Sequence, residues 1–512
     1  MNWSKYQTEI FDAVSQTDDN LAINAVAGSG KTTTLVEIGK RLPHDSKKLF
    51  LAFNTHIADE LSYRLPQFEC RTTHALGRKL LISQRRVRLD NKKSFNIIME
   101  LSRDISWLNK YQRYSFAALT SRVMDIGRST LTNFKDEYSV YDMINTFGLN
   151  RRIHDFSDVT KRDFDEIAEA TASIARKSLR FGYQMYKEDG IIDYADMLYL
   201  PVILKLTSDY DVVLVDEVQD LNAAQLQLVK QVSANGRVIA VGDERQSIMA
   251  FSGSMANSFE TVVETFNMRE LPLSISYRCP TSHIKLAQKL VPHIEARPDA
   301  PEGMIEHVST EFLIENATPD DLIISRTNGE LVKTAIDFLS NGIPVSVRGR
   351  DFSSEIIKIV KQIDKMKGIK MTTFANTFKM KTIAYGEHRK AEMMEEGTAT
   401  DQLIEFIDQI FCIKAMVDFL QPNDIDELNE SFKDLFVDDD EVSKITLSSV
   451  HRTKGLEANR VFIVKPNGLQ IKFDGQQPWE KLQEENTEYV ALTRSKDILY
   501  MVHRKDDDDD SN

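Results

Sequence analysis

Short apolar runs that end in polar residues punctuate this chain. Val212-Val213-Leu214-Val215 and Val238-Ile239-Ala240-Val241 read as strands buried on both faces. Leu21-Ala22-Ile23, Leu49-Phe50-Leu51-Ala52-Phe53, Asp321-Leu322-Ile323-Ile324 and Arg460-Val461-Phe462-Ile463-Val464 read likewise. Between residues 76 and 190 the pattern changes. Apolar residues recur at three- and four-residue spacing, as in Ile167, Ala170, Ile174 and Ala175, which predicts helices. Residues 351–440 are rich in Lys, Met, Glu and Asp and lack the strand pattern, so a mainly helical insertion is expected there. Buried strands alternating with helices predict an open α/β architecture with parallel sheets. No repeat is visible, which argues against a solenoid.

At 512 residues, three or four domains are expected. The apolar fraction is 42%, enough for several cores, which excludes a wholly disordered chain. No apolar stretch approaches the ~18–20 residues of a membrane span, and residues 1–7 carry no apolar signal region. No membrane partner is therefore expected. Cys70, Cys279 and Cys412 lie far apart, which fits neither a disulfide framework nor a zinc cluster and predicts a reducing compartment.

Net charge is −14, which by itself argues against nucleic acid. The charge is uneven, however. Residues 78–187 hold 21 Lys and Arg against 13 Asp and Glu, a local balance of +8 that leaves −22 for the rest. Its clusters include Arg85-Arg86-Val87-Arg88, Lys92-Lys93 and Arg151-Arg152, interleaved with Phe95, Trp107, Tyr111, Tyr114, Phe116 and Phe134. Basic side chains among stacking platforms suit a single strand; an ordinary solvated helical face has the same composition. At the other extreme, Asp506–Asp510 open an acidic tail, 506–512, expected to be disordered.

Chemistry enters with Ala25-Val26-Ala27-Gly28-Ser29-Gly30-Lys31-Thr32, set between the strand at 21–23 and a helical pattern from Thr33 to Leu42. That is the setting of a phosphate-binding loop. Backbone N–H groups from Ala27 to Thr33 would cradle phosphates at a helix N-terminus. Lys31 would reach the β and γ phosphates of ATP, and Thr32 would ligate Mg²⁺. Asp216-Glu217-Val218-Gln219-Asp220 follows the strand at 212–215. Asp216 is the second Mg²⁺ candidate, and Glu217 the candidate base for the attacking water.

The box 216–220 resembles the "DExQD" box of superfamily 1 helicases of the UvrD/Rep/PcrA type. Further segments resemble that family's boxes in order: Leu51–Asn54, Thr72–Gly77, Val241–Ile248, Ser276-Tyr277-Arg278, Ser325–Asn328, Val450–Glu457 and Tyr489–Lys496. With Gln7 they span nearly the whole chain. The layout is especially similar to the F-box DNA helicase group, without an F-box. Two positions depart from the family's stretch "SIYxWRG": Met249 replaces an aromatic and Ser252 an arginine.

The resemblance implies two RecA-like parallel-sheet motor domains, each with a mainly helical insertion. The first would comprise 1–77 and 188–270, with the basic insertion 78–187; the second 271–355 and 441–505, with a reduced insertion at 356–440. It implies that Gln7 reads adenine, Tyr277 stacks on it and Glu457 binds the ribose. Gln246 would sense the γ-phosphate, and Arg278 and Arg494 would reach it across a cleft as arginine fingers. Phe53, Asn54, His74, Phe251, Arg326 and His451 would contact DNA. The implied activity is ATP-driven 3′-to-5′ movement on single-stranded DNA, with duplex unwinding in repair, replication or recombination.

Expected partners are single-stranded DNA, single-strand/duplex junctions and proteins of replication, recombination or single-strand binding. The expected location is the cytoplasm of a bacterium or phage-infected cell, or a eukaryotic nucleus. Three alternatives compete: a translocase that strips proteins from DNA, a non-hydrolysing nucleic-acid-binding protein, and an RNA helicase.

Overall fold

The structure is a computed structural model and describes residues 3–248, 258–395, 400–437, 444–472, 476 and 478–504. Two compact units divide the chain, Met1–Ser274 and Ile275–Asn512.

The strands of the first unit are β1 (Leu21–Ala25), β2 (Lys48–Ala52), β3 (Phe68–Thr72), β4 (Arg88–Leu89), β5 (Ile191–Ile192), β6 (Val212–Val215), β7 (Arg237–Gly242) and β8 (Arg269–Leu273). Six of them form one sheet in the order β3-β2-β6-β7-β1-β8, and every neighbouring pair is parallel. Parallel pairing needs crossover connections, and here helices cover both faces. The strands read as unbroken apolar runs because each face has its own core. Ile23, Phe50, Leu214 and Ile239 pack with the helices Lys5–Gln16, Lys31–Arg41 and Thr55–Arg64. Their neighbours Ala22, Leu51, Val213 and Val238 pack on the other side with Thr73–Gln84, Asp196–Ile203 and Ala223–Val232.

The insertion is helical, as its periodicity predicts, with its own core around Phe116, Val123, Ile153, Ile167 and Ile174. Inside the expected helical stretch, β4 pairs with β5, which lies just past its end, and so ties the start of the insertion to the chain that leaves it. Two residues are too few to leave a strand pattern. β8 crosses the expected boundary at 270 and pairs with β1, so this unit extends to Ser274.

The second unit contains β9 (Ile275–Ser276), β10 (Glu295–Ala296), β11 (Met304–Ser309), β12 (Leu322–Ser325), β13 (Val345–Arg348), β14 (Phe436–Val437), β15 (Ile445–Ser449), β16 (Ala458–Val464) and β17 (Ser495–His503). Its main sheet is also wholly parallel, ordered β11-β17-β16-β12-β15-β13-β14. Both units are therefore α/β with RecA-like sheets. The first helix of the second insertion is Arg350–Asp364, which fits the change in composition at 351 and begins before the boundary of 356 that the resemblance implies. The insertion also returns to the sheet, because β14 pairs with β13. Ile356, Phe378, Ile413, Val417 and Phe432 of the insertion share one core with Ile323, Val347, Leu447 and Phe462 of the sheet. Among the described residues, no helix is long and apolar enough to cross a membrane. The acidic tail at 506–512 lies outside the described residues.

Candidate functional site

In the first unit, β1 delivers a turn whose backbone is built for close approach. Gly28 and Gly30 have φ of 70° and 80°. Gly30 is the N-cap of the helix Lys31–Arg41 and leaves its first amides without a side-chain cap. Open space surrounds Gly30, so its positive φ, not crowding, requires glycine. Ala27 is buried, as is Ser29, whose hydroxyl has no partner among the described residues. Thr32 and Thr33 are half-buried in the first helical turn. The turn thus offers N–H groups, a buried hydroxyl and a helix dipole to an anion, as a nucleotide phosphate requires.

Charges converge on this turn from the ends of two further strands. Lys31 Nζ lies 2.8 Å from Glu217. Burial opposes the lysine charge, but Glu217, Asp243 and Asp216 outweigh it and hold its pKa above the ordinary value. Asp216 is buried at the end of β6, and its carboxylate accepts the Glu217 N–H at 2.9 Å. Glu217 itself sits at φ 50°, the left-handed region. Asp243, after β7, is enclosed, and burial lifts its carboxyl to about 6 against the pull of Lys31. Gln246 donates to it at 2.6 Å. One lysine among carboxylates suits a phosphate-bound divalent cation, for which Asp216 and Thr32 would be the hard oxygen donors that Mg²⁺ prefers.

Gln7 is buried and has a structural task. With Ser4 it forms a reciprocal capping box at the start of the helix Lys5–Gln16. Its Nε2 also donates to Thr34 at 3.2 Å, tying that helix to the phosphate-loop helix. Ser-x-x-Gln is a recognisable N-cap pattern, so this role was readable in the sequence.

Phe53 is half-exposed. Asn54 caps the helix Thr55–Arg64, accepting the Ile57 N–H at 2.9 Å. His74 stacks on Tyr194 with ring centroids 4.2 Å apart. Burial lowers its pKa to about 4, so it is neutral near pH 7. The exposed Tyr194 was not anticipated; no local motif marks it, and only the fold sets it beside His74. Phe251, with Met249 and Ser252, lies outside the described residues.

The basic insertion is less available to a ligand than its +8 balance suggests. Lys93 and Arg128 are buried, paired with Asp196 and Asp193 at 2.6 and 2.9 Å. Both aspartates lie outside segment 78–187, so counting within it missed the neutralisation. Arg85 donates to the backbone carbonyls of Lys187 and Glu188, which gives it a structural role. Arg86 and Arg88 are exposed.

The second unit gathers its own cluster. Arg278 pairs with Glu457 at 2.6 Å and donates to the Thr493 carbonyl at 3.1 Å. Lys496 reaches the other Glu457 oxygen at 2.6 Å. Burial of Glu457 is outweighed by Lys496 and Arg278, which lower its pKa. Arg494 is buried, donating to the carbonyls of Val490 at 2.8 Å and Leu456 at 3.2 Å. Tyr277 is exposed.

Arg326 and His451 have partners of their own. A two-pronged pair with Glu484, at 3.0 and 2.6 Å, occupies the Arg326 guanidinium. Burial, with Arg326 beside it, lowers the His451 pKa to about 3. A phosphate contact by Arg326 would have to compete with Glu484.

Residues 6–267 match the family described as UvrD/REP helicase N-terminal domain. The chain is 24% identical over 503 residues to F-box DNA helicase protein 1 of Schizosaccharomyces pombe, covering 94% of this chain and 55% of that protein. It is 26% identical over 308 residues to the ATP-dependent DNA helicase Rep of Buchnera aphidicola, covering 54% and 42%. A probable DNA helicase of Mycoplasma pneumoniae is 21% identical over 504 residues, covering 93% and 79%. The chain thus spans about half the length of the first two of these relatives. With the family match covering residues 6–267, the chain belongs to the UvrD/REP helicase family.

Proposed function

We propose that this protein is a DNA-stimulated, Mg²⁺-dependent ATPase that moves 3′ to 5′ along single-stranded DNA and separates duplex. The convergence of Lys31, Asp216, Glu217, Asp243 and Gln246 on an uncapped helix N-terminus carries this reading. Phosphoryl transfer asks for positioned charge more than for covalent chemistry. The loop amides and Lys31 bind the phosphates. Glu217 exchanges its contact with Lys31 for the attacking water and takes its proton. When bound, Mg²⁺, held by Thr32 and Asp216, would neutralise charge on the β and γ phosphates. In this reading Gln246, Arg278 and Arg494 answer the γ-phosphate, while Gln7, Tyr277 and Glu457 hold the nucleoside.

The polarity and the DNA substrate are proposals drawn from the family. ATP hydrolysis measured with and without single-stranded DNA, beside unwinding of 3′-tailed and 5′-tailed duplexes, tests them. Stimulation by DNA, unwinding only of 3′-tailed substrates and loss of both in Lys31→Ala are expected. An unstimulated ATPase, or one indifferent to Lys31→Ala, would sink the reading. A translocase that displaces proteins and unwinds weakly is the second reading. The small second insertion, which shares a core with its sheet, favours it. A protein-displacement assay alongside a forked duplex separates the two.

A further inference from the structure

Gln219 is a buried side chain in the turn Val218–Asp220, and both ends of its amide are used. Its Nε2 donates to Glu217 Oε2. Its Oε1 accepts the Asp243 N–H at 3.0 Å. These partners set its orientation. A flipped amide would aim its NH₂ at another N–H donor and its oxygen at a carboxylate, losing both bonds. The two turns are also in direct contact. A Cβ on Gly242 would lie 2.4 Å from Gln219 Oε1 and 2.7 Å from Val218 Cγ1, so a side chain at 242 would force them apart. The Asp243 that Gln219 holds is the same residue that receives Gln246.

We propose that Gln219 is a positioning residue that ties the Glu217 carboxylate to the turn Asp243–Gln246. It rests on the reading of Glu217 as the base and adds how that base is held. Lys31 and Gln219 each hold one Glu217 oxygen. Lys31 is the contact that nucleotide phosphates would draw away. Gln219 is neutral and its other end is anchored on the neighbouring turn, so it keeps its grip when Lys31 leaves. Any displacement of the turn Asp243–Gln246 pulls on Oε1 and turns the amide that holds Glu217. The base is thereby aligned only when that turn is in place.

Gln219→Met keeps the side-chain length and removes both hydrogen bonds. Its DNA-stimulated kcat should fall about tenfold or more, as loss of an aligned base predicts, with KM for ATP within about threefold. Gln219→Met and Gln246→Ala should not be independent. Their double variant should lose at most about threefold beyond the worse single one, the signature of a shared contact. Gly242→Ala presses on the same amide from the other side and should lower kcat in the same way; it serves if Gln219→Met does not fold. A kcat for Gln219→Met within about twofold of the parent, or losses that multiply in the double variant, overturns the proposal. A parent protein without DNA-stimulated hydrolysis would instead overturn the underlying assignment of function.

Discussion

Asp408 closes the helix that begins at Asn328: its two oxygens accept the N–H groups of Asn328 and Gly329 at 2.8 and 2.7 Å. The donors lie beside Arg326, and the carboxylate comes from the helix Thr400–Leu420 of the insertion. A side chain at 329 would strike Phe411 and Asp408, so glycine is what allows the two helices to meet. A carboxylate at a helix N-terminus satisfies amides that otherwise have no partner.

Burial nonetheless raises the Asp408 pKa to about 6. The folded value lies above the unfolded one, so the native state holds this proton more tightly. The resulting stability is fully present below about pH 4 and is lost as pH rises through about 6. The stability of the parent minus that of Asp408→Asn should therefore fall between pH 4 and pH 6.5, by on the order of 2–3 kcal/mol. Urea unfolding of both proteins across that range measures it. A difference that stays flat with pH would contradict the buried carboxylate.

Glu217→Gln should retain ATP binding while kcat falls by about 10²–10⁴, because an amide cannot take the water's proton. Nucleotide binding and single-turnover hydrolysis, measured together, check this. A variant that loses binding and turnover alike would make Glu217 a binding residue.

Gly77 closes the box that begins at Thr72, and the structure explains it by packing. A Cβ there would lie 1.8 Å from the Met197 carbonyl oxygen, where the helix Thr73–Gln84 meets Asp196–Ile203. Gly77→Ala should destabilise the protein by about 1–3 kcal/mol through overpacking. Denaturant titration of the two proteins gives the number, and an unchanged midpoint would mean the helices part freely.

The basic insertion should divide into two classes of arginine. Arg128→Met leaves Asp193 and Asp196 buried without their arginine and should cost about 3–5 kcal/mol. Arg86→Glu with Arg88→Glu should leave stability nearly unchanged but weaken single-stranded DNA binding and flatten its salt dependence. Melting temperatures and salt titrations of binding distinguish them. Unchanged DNA affinity in the second variant would make those arginines ordinary surface.

Much of the architecture was legible along the chain. The phosphate loop and the box at 216–220 are contiguous, and local chemistry demands their residue types, so a sequence displays them whole. Parallel strands betray themselves as short apolar runs, which was enough to predict the α/β class. The same runs hide which residue faces which core: with both faces buried, Ile23 and Ala22 are equally apolar, and only helix placement sends them to opposite sides.

Other features exist only through contacts between distant positions. Asp196 neutralises Lys93 from 103 residues along the chain, and Asp193 neutralises Arg128 from 65. Tyr194 becomes a platform because His74 lies on it. Gln219 acquires its second partner from the turn after β7, and Asp408 finds its amides 79 and 80 residues away. The sequence by itself determined which groups could do phosphate chemistry, because covalent neighbours suffice to build a phosphate loop. The tertiary structure decided which charges remain available and what holds the Glu217 carboxylate, because both depend on burial and on hydrogen bonds between residues that the fold alone brings together.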